Sequence, residues 1–363
     1  MREVFENISP SCLVLFVITV GCVIGSIKIF KASLGLGGVL LASVLAGFFA
    51  APLIASEEFN LQMSFLSSLG SSLFVSAIGL AAGRSINLKN KKSWRAAAVG
   101  FGTVFITFSV MLIIIKTDIT LGTSEMLGVF CGALTTTPAL SAVCELESTI
   151  QQDAVVGYSC GYLPGAFIAL AACSFFSMRE DERVFLQNKT QKTDNESSTK
   201  LLIQIGAVVL LGNILSLVSP LGQSGGILLS GIAVGVVLEK CFCKHAPSSS
   251  QLSQLRVLGL AMFFVGVGVP AGTKLAKGAR LELLLYALLL SIIAVTCAFA
   301  LSRLLFPKNK SYVSSLIAGS MTSTPCCVLL EQDKKCFDAG AYSLAYVSAL
   351  CGAVFLVRLF NAL

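Results

Sequence analysis

Apolar stretches of about twenty residues recur from one end of the chain to the other. Each is long enough to cross the roughly 30 Å hydrocarbon core of a bilayer as a helix rising 1.5 Å per residue. Of 363 residues, 55% are apolar and 12% charged. Soluble domains carry about a quarter charged residues, so the bilayer is the solvent and no soluble domain remains to be placed. Spans are expected near 12–30, 33–55, 63–83, 97–115 and 154–177, with a further apolar segment at 126–144. Later spans are expected near 201–219, 224–238, 257–275, 283–304 and 339–357, with a similar odd segment at 311–330. The first run lacks a clear small-residue cleavage site and reads as a retained span rather than a signal peptide. The expected fold class is an all-α polytopic membrane protein.

Four patterns occur twice, in one order and at nearly constant displacement. Gly37-Gly38-Val39-Leu40-Leu41 through Gly47 returns as Gly225-Gly226-Ile227-Leu228-Leu229 through Gly235, 188 positions on. Leu69-Gly70, Phe74, Gly79 and Gly83 return as Leu258-Gly259, Phe263, Gly268 and Gly272, 189 on. Gly132-x-x-Thr135-Thr136-Thr137-Pro138 returns as Gly319-x-x-Thr322-Ser323-Thr324-Pro325, 187 on, and Tyr158-x-x-x-Tyr162 as Tyr342-x-x-x-Tyr346, 184 on. The chain therefore divides into a membrane repeat at 1–178, a polar linker at 179–200 and a second membrane repeat at 201–363.

Cytoplasmic loops are enriched in Lys and Arg. In the first half the basic loops carry Lys28 and Lys31, then Arg84, Lys89, Lys91, Lys92 and Arg95, and the linker carries Arg179, Arg183, Lys189, Lys192 and Lys200. An outside N-terminus and a cytoplasmic linker require an odd number of crossings, whereas six apolar segments precede the linker. A re-entrant 126–144 segment resolves the conflict; a continuous but Pro-broken crossing is the rival. Proline removes a backbone donor and restricts the residue before it. Five crossings per half make the second repeat inverted, which places Lys240, Lys308 and Lys334 inside but leaves Lys274, Lys277 and Arg280 outside, against the rule.

Inverted repeats with a broken segment in each half form a transporter design, with the unwound segments meeting near the midplane. The candidate substrate site is therefore Gly132, Thr135, Thr136, Thr137 and Pro138 with Gly319, Thr322, Ser323, Thr324 and Pro325. Hydroxyls there can donate to a carboxylate or accept from an ammonium, although Ser and Thr also cap their own helices or join helices together. Arg84 and Arg358 lie at span ends, where a guanidinium can neutralise a carboxylate substrate or snorkel to headgroups. The glycine pairs Gly79/Gly83 and Gly268/Gly272 have the spacing that lets helices approach closely.

Other chemistries are disfavoured. The net charge of +7 resides in short loops, as orientation signals do, so nucleic-acid binding is not expected. Most of the 13 cysteines sit inside apolar spans as small hydrophobes. Cys241, Cys243 and His245 offer three ligands without an evident fourth, and no metal is expected. Gly157-x-Ser159-x-Gly161 matches a hydrolase elbow, but that motif needs a strand-turn-helix setting and a histidine, and His245 is the only histidine. No P-loop is present, so ATP is not the direct driver. No enzyme activity and no cofactor are expected beyond a coupling ion, Na+ or H+.

The duplicated GALTTTP and GSMTSTP, the LFVSAIGLAAG before the first, and the early IKIFKASLGLGGVLL resemble the bacterial aspartate:alanine exchanger family across both halves. The resemblance implies an amino-acid exchanger or related carboxylate transporter, with the two motifs on the transport path. Many members carry a soluble regulatory region between the halves, where this chain has only the 179–200 linker, so regulation by such domains is not expected. The expectation is a secondary active transporter, exchanging or ion-coupled, for a small carboxylate or amino acid such as aspartate or alanine. It would lie in the inner cell membrane, with a small-molecule substrate, the bilayer and, in a homodimer, a second copy as partners. The alternatives are a non-transporting membrane protein, such as an intramembrane hydrolase or scaffold, or a channel.

Overall fold

A chain without water around its backbone must satisfy its peptide groups within each segment, and helices account for almost every described residue. The computed structural model describes residues 10–29, 32–33, 36–50, 57–85, 91–117, 122–145, 148–178, 198–218, 222–241, 246–276, 282–307, 312–323, 326–327, 330 and 338–362. The helices are α1 (Pro10–Gly25), α2 (Gly37–Ala50), α3 (Glu57–Ser85), α4 (Lys91–Thr117), α5 (Thr123–Ala133), α6 (Thr137–Cys144) and α7 (Ser148–Met178). They continue as α8 (Ser198–Val218), α9 (Gly222–Cys241), α10 (Ser249–Leu275), α11 (Glu282–Leu305), α12 (Tyr312–Ser320) and α13 (Ala339–Ala362). Linker residues 179–197 lie outside the described residues.

Among the described residues, α3, α4, α7, α8, α9, α10, α11 and α13 are long and apolar enough to cross a membrane. The first two expected spans are shorter than the sequence suggested. α1 has 16 residues and α2 has 14, roughly 24 and 21 Å. Their facing ends are taken up by a small antiparallel pair, β1 (Lys28–Ile29) with β2 (Ala32–Ser33). The run Ile27-Lys28-Ile29 alternates β-branched and charged side chains, a pattern that favours extended backbone over another helical turn.

Packing is reciprocal between the two halves. α1 packs on α2 as α8 packs on α9; α2 lies along α10 as α9 lies along α3; α4 lies along α13 as α11 lies along α7. α3 and α10 meet face to face, as do α4 and α11. Missing side chains permit the close approaches. A Cβ on Gly70 would stand 2.6 Å from the Gly259 carbonyl oxygen, and one on Gly259 would stand 2.8 Å from that of Gly70. Beside them the Phe74 and Phe263 rings pack at 5.3 Å. Gly79 and Gly83 abut α9, and Gly268 and Gly272 abut α2, so both glycine pairs serve close helix packing.

Contact order along α3 and α10 fixes their relative direction. Gly266 lies against Met63 and Ser67, whereas Gly259 lies against Gly70 and Phe74. Position rises on α3 as it falls on α10, so these two helices, which carry the same repeated pattern, run antiparallel. Large apolar side chains on the outside, such as Leu217 at 87% exposed and Leu304 at 74%, are the surface that hydrocarbon would cover.

Candidate functional site

The two T-x-T-P segments form matching structures. α5 ends where Thr135 takes φ 52°, and α12 ends where Thr322 takes φ 46°. This left-handed region usually requires glycine and costs a β-branched residue about 1–2 kcal/mol. In the first break, the Thr135 N–H donates to Gly132 O at 2.8 Å and the Thr136 N–H to Cys131 O at 2.8 Å. In the second, the Thr322 N–H donates to Gly319 O at 2.9 Å and the Ser323 N–H to Ala318 O at 3.0 Å. Both patterns are Schellman endings, in which the last carbonyls of a helix are satisfied by a chain that reverses.

The sequence reading placed the unwound turn on the TTTP segment with its proline; within that segment the structure puts the reversal at Thr135. Pro138 lies in the first turn of α6, where its missing N–H has no helical partner to lose. Thr324 and Pro325 lie outside the described residues.

The chain turns back at these breaks. Gly128 packs on Ala154, Gly132 on Tyr158 and Gly161, and Gly165 on Ala133, so α5 and α7 run in parallel. Only residues 145–147 connect α6 to α7, so α6 must return to the level at which α5 began. α5 and α6 form a hairpin rather than one broken crossing. In the second half, the Asp338 N–H donates to Ser315 Oγ at 2.8 Å and Gly319 lies against Tyr342 and Ala345, which makes α12 parallel to α13.

The two tips meet. Thr135 Oγ1 donates to Met321 O at 2.6 Å and Thr322 Oγ1 donates to Leu134 O at 3.0 Å. Each strained threonine thus satisfies a carbonyl on the opposite tip. Thr136 Oγ1 is buried without a hydrogen-bond partner among the described residues. Thr137 Oγ1 and Tyr158 Oη are hydrogen-bonded at 2.9 Å, tying the return helix to α7. Gly132 and Gly319 face the neighbouring helices α7 and α13 rather than a cavity; a Cβ on Gly132 would stand 2.6 Å from Tyr158 O, and one on Gly319 2.5 Å from Tyr342 O.

Two cavities flank this junction at opposite ends of α3, and neither is lined by the tip residues. One, of about 550 Å³, is walled by Ser64, Ser67 and Ser71 on α3, Ser141 and Glu145 at the base of the first hairpin, and Ser224 on α9. The Ser71, Ser141 and Ser224 hydroxyls are mutually bonded, Ser141 to Ser224 at 2.6 Å. The other, of about 400 Å³, is walled by Ala77 to Arg84 on α3, Glu239, the start of α10 and Tyr342 to Val347 on α13. Their centres are about 20 Å apart along α3 at 1.5 Å per residue.

Both arginines singled out in the sequence have protein partners. Arg84 pairs with Glu239 at 3.0 Å and donates to Pro247 O. Arg358 pairs with Glu145, whose oxygens also accept from the N–H groups of Gln223, at 2.7 Å, and Ser224. Glu145 therefore caps the positive N-terminal end of α9 while holding Arg358. Glu145→Gln is expected to lower stability by about 2 kcal/mol, since it leaves Arg358 without its counter-charge. Glu145→Leu combined with Arg358→Met should recover part of that loss in a thermal melt.

Sequence reasoning missed Arg256, which lines the smaller cavity. The expected span began at 257, but Ser248 and Gln251 form a capping box. The Gln251 N–H donates to Ser248 Oγ at 3.2 Å and the Ser248 N–H to Gln251 Oε1 at 3.0 Å. That start puts Arg256 two turns inside α10, and the S-x-x-Q signal for it was present in the sequence. Ser159 lies within α7 and donates to its own helix at Val155 O, 2.8 Å, a setting unlike the strand-turn-helix elbow. Cys241 ends α9; Cys243 and His245 lie outside the described residues.

An α-helical, multi-pass membrane protein in which the chain reversals after α5 and α12 meet is the architectural class this geometry defines among the described residues. The family described as Predicted Permease Membrane Region matches residues 13–178 and 200–362, and the chain belongs to this aspartate:alanine exchanger family. An uncharacterized transporter of Corynebacterium glutamicum is 30% identical over 172 residues, covering 45% of this chain and 30% of that protein. One of Corynebacterium diphtheriae is 32% identical over 172 residues, 45% of this chain and 28% of that protein. One of Bacteroides thetaiotaomicron is 29% identical over 201 residues, 50% of this chain and 33% of that protein. The chain matches no more than a third of the length of these three relatives.

Proposed function

We propose that the chain is a secondary active transporter for a small carboxylate or amino acid such as aspartate or alanine. It works by exchange or ion coupling, with alternating access around the two hairpin tips. The observation that carries this reading is the reciprocal bonding of the tips, Thr135 to Met321 and Thr322 to Leu134, with a polar cavity on either side. Irregular backbone at membrane depth is tolerated only where it is buried in protein or lines a cavity. A left-handed β-branched residue in each half is strain of the kind that collects at functional sites. The buried hydroxyl of Thr136 supplies a polar group at the junction for a substrate to meet. The antiparallel crossing of α3 with α10 supports inverted repeats, and the basic loops support an outside N-terminus and a cytoplasmic 179–200 linker in the inner membrane.

Counterflow in proteoliposomes tests the reading. Vesicles loaded with unlabelled aspartate, glutamate or alanine should accelerate entry of the labelled compound, with or without a Na+ or H+ gradient. Thr136→Ala or Ser323→Ala should reduce that flux at equal amounts of folded protein. Flux without saturation or acceleration would indicate a channel, and no flux of any of these compounds would remove the substrate assignment.

A further inference from the structure

The repeat allows the walls of the two cavities to be compared residue by residue, and the comparison isolates one arginine. Ser64 and Ser67 line the larger cavity. The positions 189 further on are Ser253 and Arg256, which line the smaller one. Equivalent surfaces of α3 and α10 thus wall the two chambers, and the position that is Ser67 on α3 is Arg256 on α10. In the larger cavity the arginine, Arg358, is held against Glu145. In the smaller, the glutamate, Glu239, is held by Arg84, and Arg256 adds a second cation to the lining.

The surroundings of Arg256 suit an anion. Tyr342 and Tyr346 line the same cavity, their rings are 5.7 Å apart, and both stand within electrostatic range of Arg256 together with Tyr162. A guanidinium presents paired N–H donors that match the geometry of a carboxylate, and phenols add neutral donors beside it. About 400 Å³ lies in the range of small-molecule sites. We propose that the cavity walled by Arg256, Tyr342 and Tyr346 binds the carboxylate of a small anionic or zwitterionic substrate. The serine-lined chamber lacks this cation, so the two ends of the pathway differ in their affinity for anions although the scaffold is repeated. The identity of the ligand rests on the transporter reading; the anion preference of the cavity can be measured without transport.

Two measurements on the purified full chain separate these levels. L-aspartate and succinate should raise the melting temperature of the wild-type protein and aspartic acid diamide should not. Arg256→Gln should weaken the apparent affinity by about ten- to a hundredfold, with Arg256→Lys between, as expected for a charge-assisted contact. The second measurement keeps Arg256. Ser253→Cys and Ser64→Cys, both on exposed positions, are labelled with anionic and cationic methanethiosulfonates. The anionic reagent should react preferentially at position 253 and not at 64, and aspartate should slow it. Undiminished aspartate binding by Arg256→Gln, or equal reagent preference at the two positions, would overturn the site while leaving the transporter reading intact. Anionic preference at 253 without stabilisation by either carboxylate would overturn the carboxylate assignment. If Arg256→Gln does not fold, the reagent comparison decides.

Discussion

Thr135→Val combined with Thr322→Val is expected to reduce counterflow at least about thirtyfold at matched protein levels. Valine keeps the β-branched shape, so the penalty of the left-handed backbone at φ 52° and 46° is unchanged and only the hydroxyls are lost. Each loss leaves a buried carbonyl, Met321 O or Leu134 O, without its donor, at about 1–3 kcal/mol apiece. A factor of ten corresponds to 1.4 kcal/mol, so two such losses at the junction amount to about thirtyfold or more if the tips hold together a state on the transport path. The single variants should each lose less, and their sum should differ from the double variant, because both bonds fix one interface. Thr107→Val is the control. Its hydroxyl is equally buried but donates to Thr103 O in its own helix, and its removal should leave flux near wild type.

Gly132→Leu and Gly319→Leu should each abolish monodisperse, folded protein. A Cβ at either position already stands 2.5–2.6 Å from a carbonyl oxygen of the adjacent helix, and a leucine would force the hairpin off α7 or α13. Overpacking of this kind costs at least about 1–3 kcal/mol. Alanine should also lower the melting temperature, but whatever folds should retain wild-type substrate affinity. These two glycines entered the candidate site on the strength of the repeated motif, and this pair of outcomes separates a packing role from a binding one. A stable Gly132→Ala protein with weakened substrate affinity would restore the binding role.

Much of the architecture was legible because the bilayer allows so few solutions. Runs of twenty apolar residues could only be helices, and the repeated glycines marked where helices touch: Gly70 on α10, Gly79 on α9, Gly268 on α2. In the first half the loop charges favoured a segment that enters and leaves on one side over a Pro-broken crossing, and the parallel packing of α5 on α7 fits such a hairpin. The fine position of the break was not legible. The TTTP segment was marked as the turn, but a β-branched residue is the last choice for a left-handed position, so nothing local picked out Thr135 within it. The bond that offsets its strain comes from Met321, 186 residues away, and no local reading could supply it. Arg84 and Arg358 read as solitary span-end cations because their partners, Glu239 and Glu145, are remote in sequence. Arg256 was hidden by placing the start of a span at its first purely apolar residue instead of at its cap.

The proposed mechanism depends on topology: it has the two hairpins enter from opposite faces and touch at Thr135 and Thr322 to make a central gate. Single cysteines at Thr123, Ser148, Tyr312 and Asp338, in a chain whose native cysteines are replaced, would mark the bases of the two hairpins. Labelling with a membrane-impermeant thiol reagent in sealed right-side-out vesicles should modify positions 123 and 148 alike from one face. Positions 312 and 338 should react alike only after the opposite face is exposed. Finding 123 and 148 on different faces, or all four on the same face, would contradict two inverted hairpins meeting at the centre of the membrane.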